Sequence, residues 1–115
     1  MRRGDVVWVD LDPSRGREAD KLRPAVVVSN DGANRTAGSL GRGVVTVVPV
    51  TGNINRVYPF QILLPRGSCG LGRDSKAQAE QIRSVDVTRI GDVAGHLPAS
   101  LVDGIDAAIR LHLGV

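Results

Sequence analysis

Short apolar runs alternate with polar breaks marked by glycine and proline along most of the chain, and only the C-terminal segment carries a helical period. The firmest run lies in Arg23–Asn30, which reads RPAVVVSN. Pro24 has a fixed φ and no N–H, so it suits the first residue of a strand. Ser29-Asn30-Asp31-Gly32 ends the run with turn residues. An unbroken β-branched run of this kind predicts a strand buried on both faces. Val44–Val50 is a second such run, with Pro49 near its end, and it delivers Thr51, Gly52 and Asn53 to a turn. The two runs are expected to lie side by side. One would then present the Arg23 guanidinium and the other the Thr51 hydroxyl to the same concavity.

The remaining elements are shorter. Val6–Leu11 reads as a first strand closed by Pro13. Ser14–Leu22 (SRGREADKL) is a polar loop of mixed charge and a candidate flap. Asn34–Leu40 has Ala37 and Leu40 spaced for one short helical turn. Val57–Leu64 reads as a fourth strand, with Pro59 marking an edge or a start. Pro65–Arg73 is glycine-rich and bends the chain back. Ser75–Val85 mixes helix-favouring residues with an alternating pattern; a strand is expected, because an isolated helix so short is marginal. Val87–Ile90 and Gly91–Ala94 form a short closing strand or turn. Leu97–Leu113 reads as a helix, with Pro98 near its first turn and Gly114 after its end. Leu101, Ile105, Ala108 and Ile109 give that helix an apolar stripe. The chain is therefore expected to be mainly β (α+β): one domain, residues 1–115, built as a small bent β-sheet or barrel with a C-terminal helix. So small a barrel has little room inside, which places any site on a rim or between subunits.

Composition adds limits rather than identity. The 115 residues carry a formal charge of +3, and thirteen of the fifteen cationic side chains are Arg. Arg grips phosphate bidentately and stacks on bases, so a nucleic-acid partner is allowed, though a GC-rich genome gives the same bias. Cys69 stands alone, which excludes an internal disulfide and a thiolate zinc site. No apolar leader or membrane-length stretch is present, so a reducing cytoplasm is the expected location. Trp8, Tyr58 and Phe60 are the only aromatics, few for a module that holds single strands by stacking.

The candidate chemistry is unusual for lacking a conventional base. There is no phosphate-binding P-loop motif, no HExxH, and no cluster of acids at metal-ligand spacing. His112 falls on the apolar side of the C-terminal helix and reads as a packing or interface residue. His96 precedes that helix and is expected near its first turn. What remains is Arg23, Thr51, Gln81 and nearby Asn53. Phosphoryl transfer suits such a set, because its transition state needs positioned charge and hydrogen-bond donors above all. RNA also supplies its own nucleophile, the 2′-hydroxyl. By residue type alone the plainer reading competes: Arg before a strand as a surface ion-pair partner, Thr after a strand as a turn residue.

Four blocks change that balance: RRGDVVWVDLDP (Arg2–Pro13), RPAVVVSND (Arg23–Asp31), VVPVTGN (Val47–Asn53) and KAQAEQIRSVDVTRI (Lys76–Ile90). In order and spacing the chain resembles the MazF/PemK family of toxin endoribonucleases, with LGRGVVTVVPVT (Leu40–Thr51) and YPFQ (Tyr58–Gln61) nearest its mycobacterial members. The resemblance implies an SH3-like barrel that works as a homodimer, with the groove at the subunit interface. It implies metal-independent, sequence-specific cleavage of single-stranded RNA, without a cofactor, to 2′,3′-cyclic phosphate and 5′-hydroxyl ends, and so growth arrest. The family's catalytic Arg and Thr fall on Arg23 and Thr51. Gln81 is assigned to RNA contact with Asn53 beside it; Arg15, Arg17 and Lys21 of the flap either grip phosphates or form a solvated charge cluster with Glu18 and Asp20. The cognate partner would be an acidic antitoxin tail competing for the groove. The alternative is a toxin of related barrel type that poisons DNA gyrase through its C-terminal helix.

Overall fold

The structure, a computed structural model, describes residues 1–12 and 22–115. Its centre is three valine-rich strands: β1 (Asp5–Asp10), β2 (Leu22–Val27) and β3 (Val44–Thr51). Side chains alternate across a strand, and here both sides are buried. Val6, Val26, Val48 and Val50 join one apolar cluster, and Val7, Ala25, Val27, Val45 and Val47 join another. Each fully buried valine is worth roughly 1.5–3 kcal/mol, which explains why the runs carry no polar face.

β1 and β3 flank β2 in antiparallel ladders, with Ala25 opposite Pro49 and Val27 opposite Val47. The other edge of β3 is shared. β6 (Arg83–Asp86) pairs its first half, and β5 (Ser75–Gln78) pairs Val50 and Thr51. β4 (Gln61–Leu64) lies beside β5, and β7 (Ile90–His96) pairs β1 with two register shifts. The strand order is β4-β5-β3-β2-β1-β7, with β6 on β3. The two ends of that order meet through backbone contact. The loop after β4 lies on β7 so closely that a Cβ on Gly70 would collide with the Ala94 carbonyl, and one on Gly95 with that of Cys69. Only glycine permits such an approach. The sheet thus bends toward closure, as the mainly β expectation requires.

Two helices cover the sheet. α2 (Ala99–Leu113) buries Ile105 and Ala108, with Leu101 and Ile109 packed beside them, and ends at Gly114 in the left-handed conformation. α1 (Asp31–Leu40) is longer than the single turn expected from its composition. The Asn30 side chain accepts from Ala33 N and caps it, so residues read as turn formers start a helix instead.

Two further expectations need correction. The fourth strand begins at Gln61, not Val57. Pro59 has no donor to offer a ladder, and Gln61 closes a turn: its N–H donates to Tyr58 O at 2.9 Å while its Oε1 accepts from Tyr58 N at 3.1 Å. Tyr58 and Phe60 stack there with ring centres 5.3 Å apart. The strand expected over Ser75–Val85 is broken by a 3-10 turn at Ala79–Gln81. β5 pairs Val50 with Ala77 and β6 pairs Val47 with Arg83. Three steps along β3 thus consume six on the facing chain, and the turn absorbs the excess.

Candidate active site

A cavity of about 460 Å³ opens where β2 begins and β3 ends. Trp8, Leu22, Pro24 and Leu71 supply apolar wall, and Arg23, Thr51, Arg73 and Ser75 supply polar groups. The pairing of β2 with β3 puts the first two there. Ala25 faces Pro49, so the same register carried two residues further sets Arg23 opposite Thr51. Pro24 is the third residue of β2, opposite Trp8, so the strand starts earlier than its proline; Pro49 lies two residues before the end of β3, and both prolines are near this end.

Each side chain has a local anchor. Arg23 is exposed, and its Nη1 donates to the Leu22 carbonyl at 3.1 Å, which holds the guanidinium at the strand end. Thr51 Oγ1 accepts from Asn53 N at 3.3 Å. That bond uses a lone pair and leaves the hydroxyl proton to donate. The cavity therefore offers a cation at a strand end and an orientable O–H, with a second cation, Arg73, on its rim. This is an anion-binding arrangement.

The structure does not bring all the sequence candidates together. Asn53 and Gln81 are exposed and do not line the cavity. The Asn53 side-chain oxygen instead accepts from Asn55 N at 3.2 Å, in a local turn. Gln81 ends the 3-10 turn between β5 and β6. Arg15, Arg17 and Lys21 lie outside the described residues. Arg73 was missed by sequence reasoning, because it closes a glycine-rich stretch that reads only as a bend. Its signal was Gly52, the bare residue directly after Thr51.

Neither histidine lines the cavity. His96 ends β7, its ring and the Val102 side chain of α2 both border Gly4, and its Nδ1 lies 2.7 Å from Oδ1 of the buried Asp5. His112 is exposed, with its ring centre 6.4 Å from that of Phe60. Among the described residues no group of three or more His, Cys, Asp or Glu is placed to hold a metal ion. No helix there is long and apolar enough to cross a membrane.

Residues 2–113 match the family of PemK-like, MazF-like toxins of type II toxin–antitoxin systems. The chain belongs to this family. The toxin is 58% identical over 113 residues to endoribonuclease MazF9 of Mycobacterium tuberculosis, covering 98% of this chain and 96% of the relative. It is 32% identical to endoribonuclease EndoA of Bacillus subtilis over 116 residues, covering 100% of this chain and 96% of that one. Among solved structures, MazF from Deinococcus radiodurans superposes with a TM-score of 0.77 at 27% identity, covering 100% of the toxin and 97% of that chain. A mycobacterial endoribonuclease in complex with its cognate antitoxin shares the fold, with a TM-score of 0.77 at 23% identity over 100% of the toxin and 96% of that chain. These relatives are endoribonucleases and lend no support to the gyrase-directed alternative.

Proposed function

We propose that this toxin is an endoribonuclease that cuts single-stranded RNA at defined sequences, without a metal or other cofactor, using Arg23 and Thr51. The activity class rests on the family and on relatives named as endoribonucleases along nearly the whole chain. The observation that carries the mechanism is the shared cavity of Arg23 and Thr51 at adjoining strand ends.

The ribose 2′-oxygen attacks the neighbouring phosphorus and forms a new P–O bond as its proton leaves. The P–O5′ bond breaks, and O5′ takes up a proton. The products are a 2′,3′-cyclic phosphate and a 5′-hydroxyl. Arg23 clamps the non-bridging oxygens, where negative charge concentrates in the phosphorane. Thr51 donates to the same phosphate and fixes it in line with the 2′-oxygen. A guanidinium pKa above 12 makes Arg a poor proton carrier, so its work is charge stabilisation.

Residues 1–115 act as one toxin domain, paired in a homodimer whose groove extends beyond each cavity. Gln81 and Asn53 contact RNA there, and Arg15, Arg17 and Lys21 grip its phosphates. An acidic antitoxin tail occupies the same groove; solved complexes of MazE with MazF support such a partner. The target lies in the cytoplasm, and its cleavage arrests growth.

Arg23→Ala and Thr51→Ala should each slow cleavage more than tenfold, above about 1.4 kcal/mol of barrier, with an unchanged thermal melt. Cleavage should persist in excess EDTA. Wild-type rates in both variants would remove these residues from the mechanism, and a magnesium-restored loss would indicate different chemistry.

A further inference from the structure

Arg73 has no place in the chemistry above, yet it is mounted for a purpose. It precedes β5 and is exposed, and it lines the same cavity as Arg23 and Thr51. Its guanidinium lies flat against Gly52. A Cβ at position 52 would stand 2.5 Å from Cζ and 2.6 Å from Nε of Arg73, so any larger residue there must push the group aside. The bare Cα after Thr51 is thus what lets this cation rest one residue from the hydroxyl.

No hydrogen bond or ion pair holds the Arg73 side chain among the described residues. The adjacent carboxylate is engaged elsewhere: Asp74 Oδ1 accepts from Arg66 N at 2.8 Å. Three other arginines do find partners within the chain. Arg3 Nη2 donates to Asp106 at 2.6 Å, Arg2 Nε lies 3.8 Å from Asp5, and the Arg56 guanidinium sits 4.8 Å over the Tyr58 ring. Arg73 carries five donors in a fork on the cavity lining, a geometry that matches phosphate oxygens.

We propose that Arg73 is a substrate-positioning residue that grips a backbone phosphate of the RNA next to the one cleaved. The proposal rests on the ribonuclease reading given above. Arg73 holds RNA equally in the ground and transition states, because it sits on the exposed rim and Arg23 and Thr51 attend the reacting phosphate. Such uniform binding lowers KM without raising kcat.

The test uses the full-length toxin on a short cleavable RNA oligonucleotide. Arg73→Gln should raise KM about five- to tenfold and leave kcat within about twofold. It should also lower the slope of log affinity against log salt by about 0.7, the value for one single-strand phosphate. Arg73→Lys should recover part of the loss. Gly52→Ala should raise KM in the wild-type background and add nothing to Arg73→Gln, because it acts by displacing the same guanidinium. An unchanged KM and salt slope in Arg73→Gln would overturn the proposal, as would a loss confined to kcat. If Arg23→Ala still abolishes cleavage in that experiment, only the role of Arg73 fails. If Arg23→Ala is as active as wild type, the ribonuclease reading itself fails.

Discussion

The β2–β3 pair ends in two polar regions that the chain treats differently. Where β2 runs into α1, polar groups answer one another. Asn34, 2% exposed, donates from Nδ2 to the Ser29 carbonyl at 2.9 Å, and Ser29 Oγ donates to Asn34 Oδ1 at 2.5 Å. The same Oγ accepts from Thr46 N at 3.1 Å and so fastens β3. Arg3 donates to Val28 O at 2.9 Å and to Asp106 at 2.6 Å, tying the N-terminus to the residue after β2 and to α2. At the opposite end Arg23, Thr51 and Arg73 surround a cavity, and Arg73 lacks a partner among the described residues. One end spends its polar groups on the fold, and the other leaves the Arg73 guanidinium for something outside it. Arginine therefore has two roles here: Arg3 ties parts of the fold together, and Arg73 lines the cavity with no side-chain partner among the described residues.

Substitutions at the two ends should separate activity from stability. The largest effect belongs to the cavity end, where Arg23→Ala and Thr51→Ala lose cleavage more than tenfold while the melting temperature holds. Asn34→Ala should do the reverse. It strands the half-buried Ser29 groups and should cost about 1–3 kcal/mol in chemical denaturation, with kcat/KM intact at temperatures where the variant stays folded. Equal losses of activity at both ends would dissolve the distinction.

The smallest effect concerns pH. The Asp31 carboxyl at the start of α1 is held below its usual 3.8, chiefly by the backbone N–H of Arg3, against some desolvation, with help from Asn34 and nearby guanidinium groups. A depressed carboxylate contributes stability above its ordinary range, and that contribution disappears as pH falls through the lower folded value. Thermal melts taken from about pH 5 downward should therefore lose stability less steeply in Asp31→Asn than in the parent. Parallel slopes would show that Asp31 adds nothing to acid sensitivity.

The valine runs revealed β2 and β3 because burial on both faces leaves an unmistakable pattern. The expectation that Arg23 and Thr51 face one concavity followed from the placement of Pro24 and Thr51 at the strand ends. The C-terminal stripe around Ile105 was equally legible. α1 was not, because its inward face is only Asn34 and Ala37, and its start signal is an Asn that also favours turns. The break at Ala79–Gln81 could not be read locally: it reflects how two strands share one edge of β3. Arg73 was hidden for a related reason. Its position depends on the absent side chain of Gly52, a residue remote in sequence and adjacent only after folding.

The central claim is that the substrate's own sugar performs the attack while Arg23 and Thr51 hold the phosphate. An RNA oligonucleotide with a single 2′-deoxyribose immediately 5′ to the scissile phosphate tests this directly against its all-ribose twin. The account predicts that the modified strand binds and competes but stays whole, while the ribose strand yields a cyclic phosphate end. Cleavage of both strands at the same rate would contradict it.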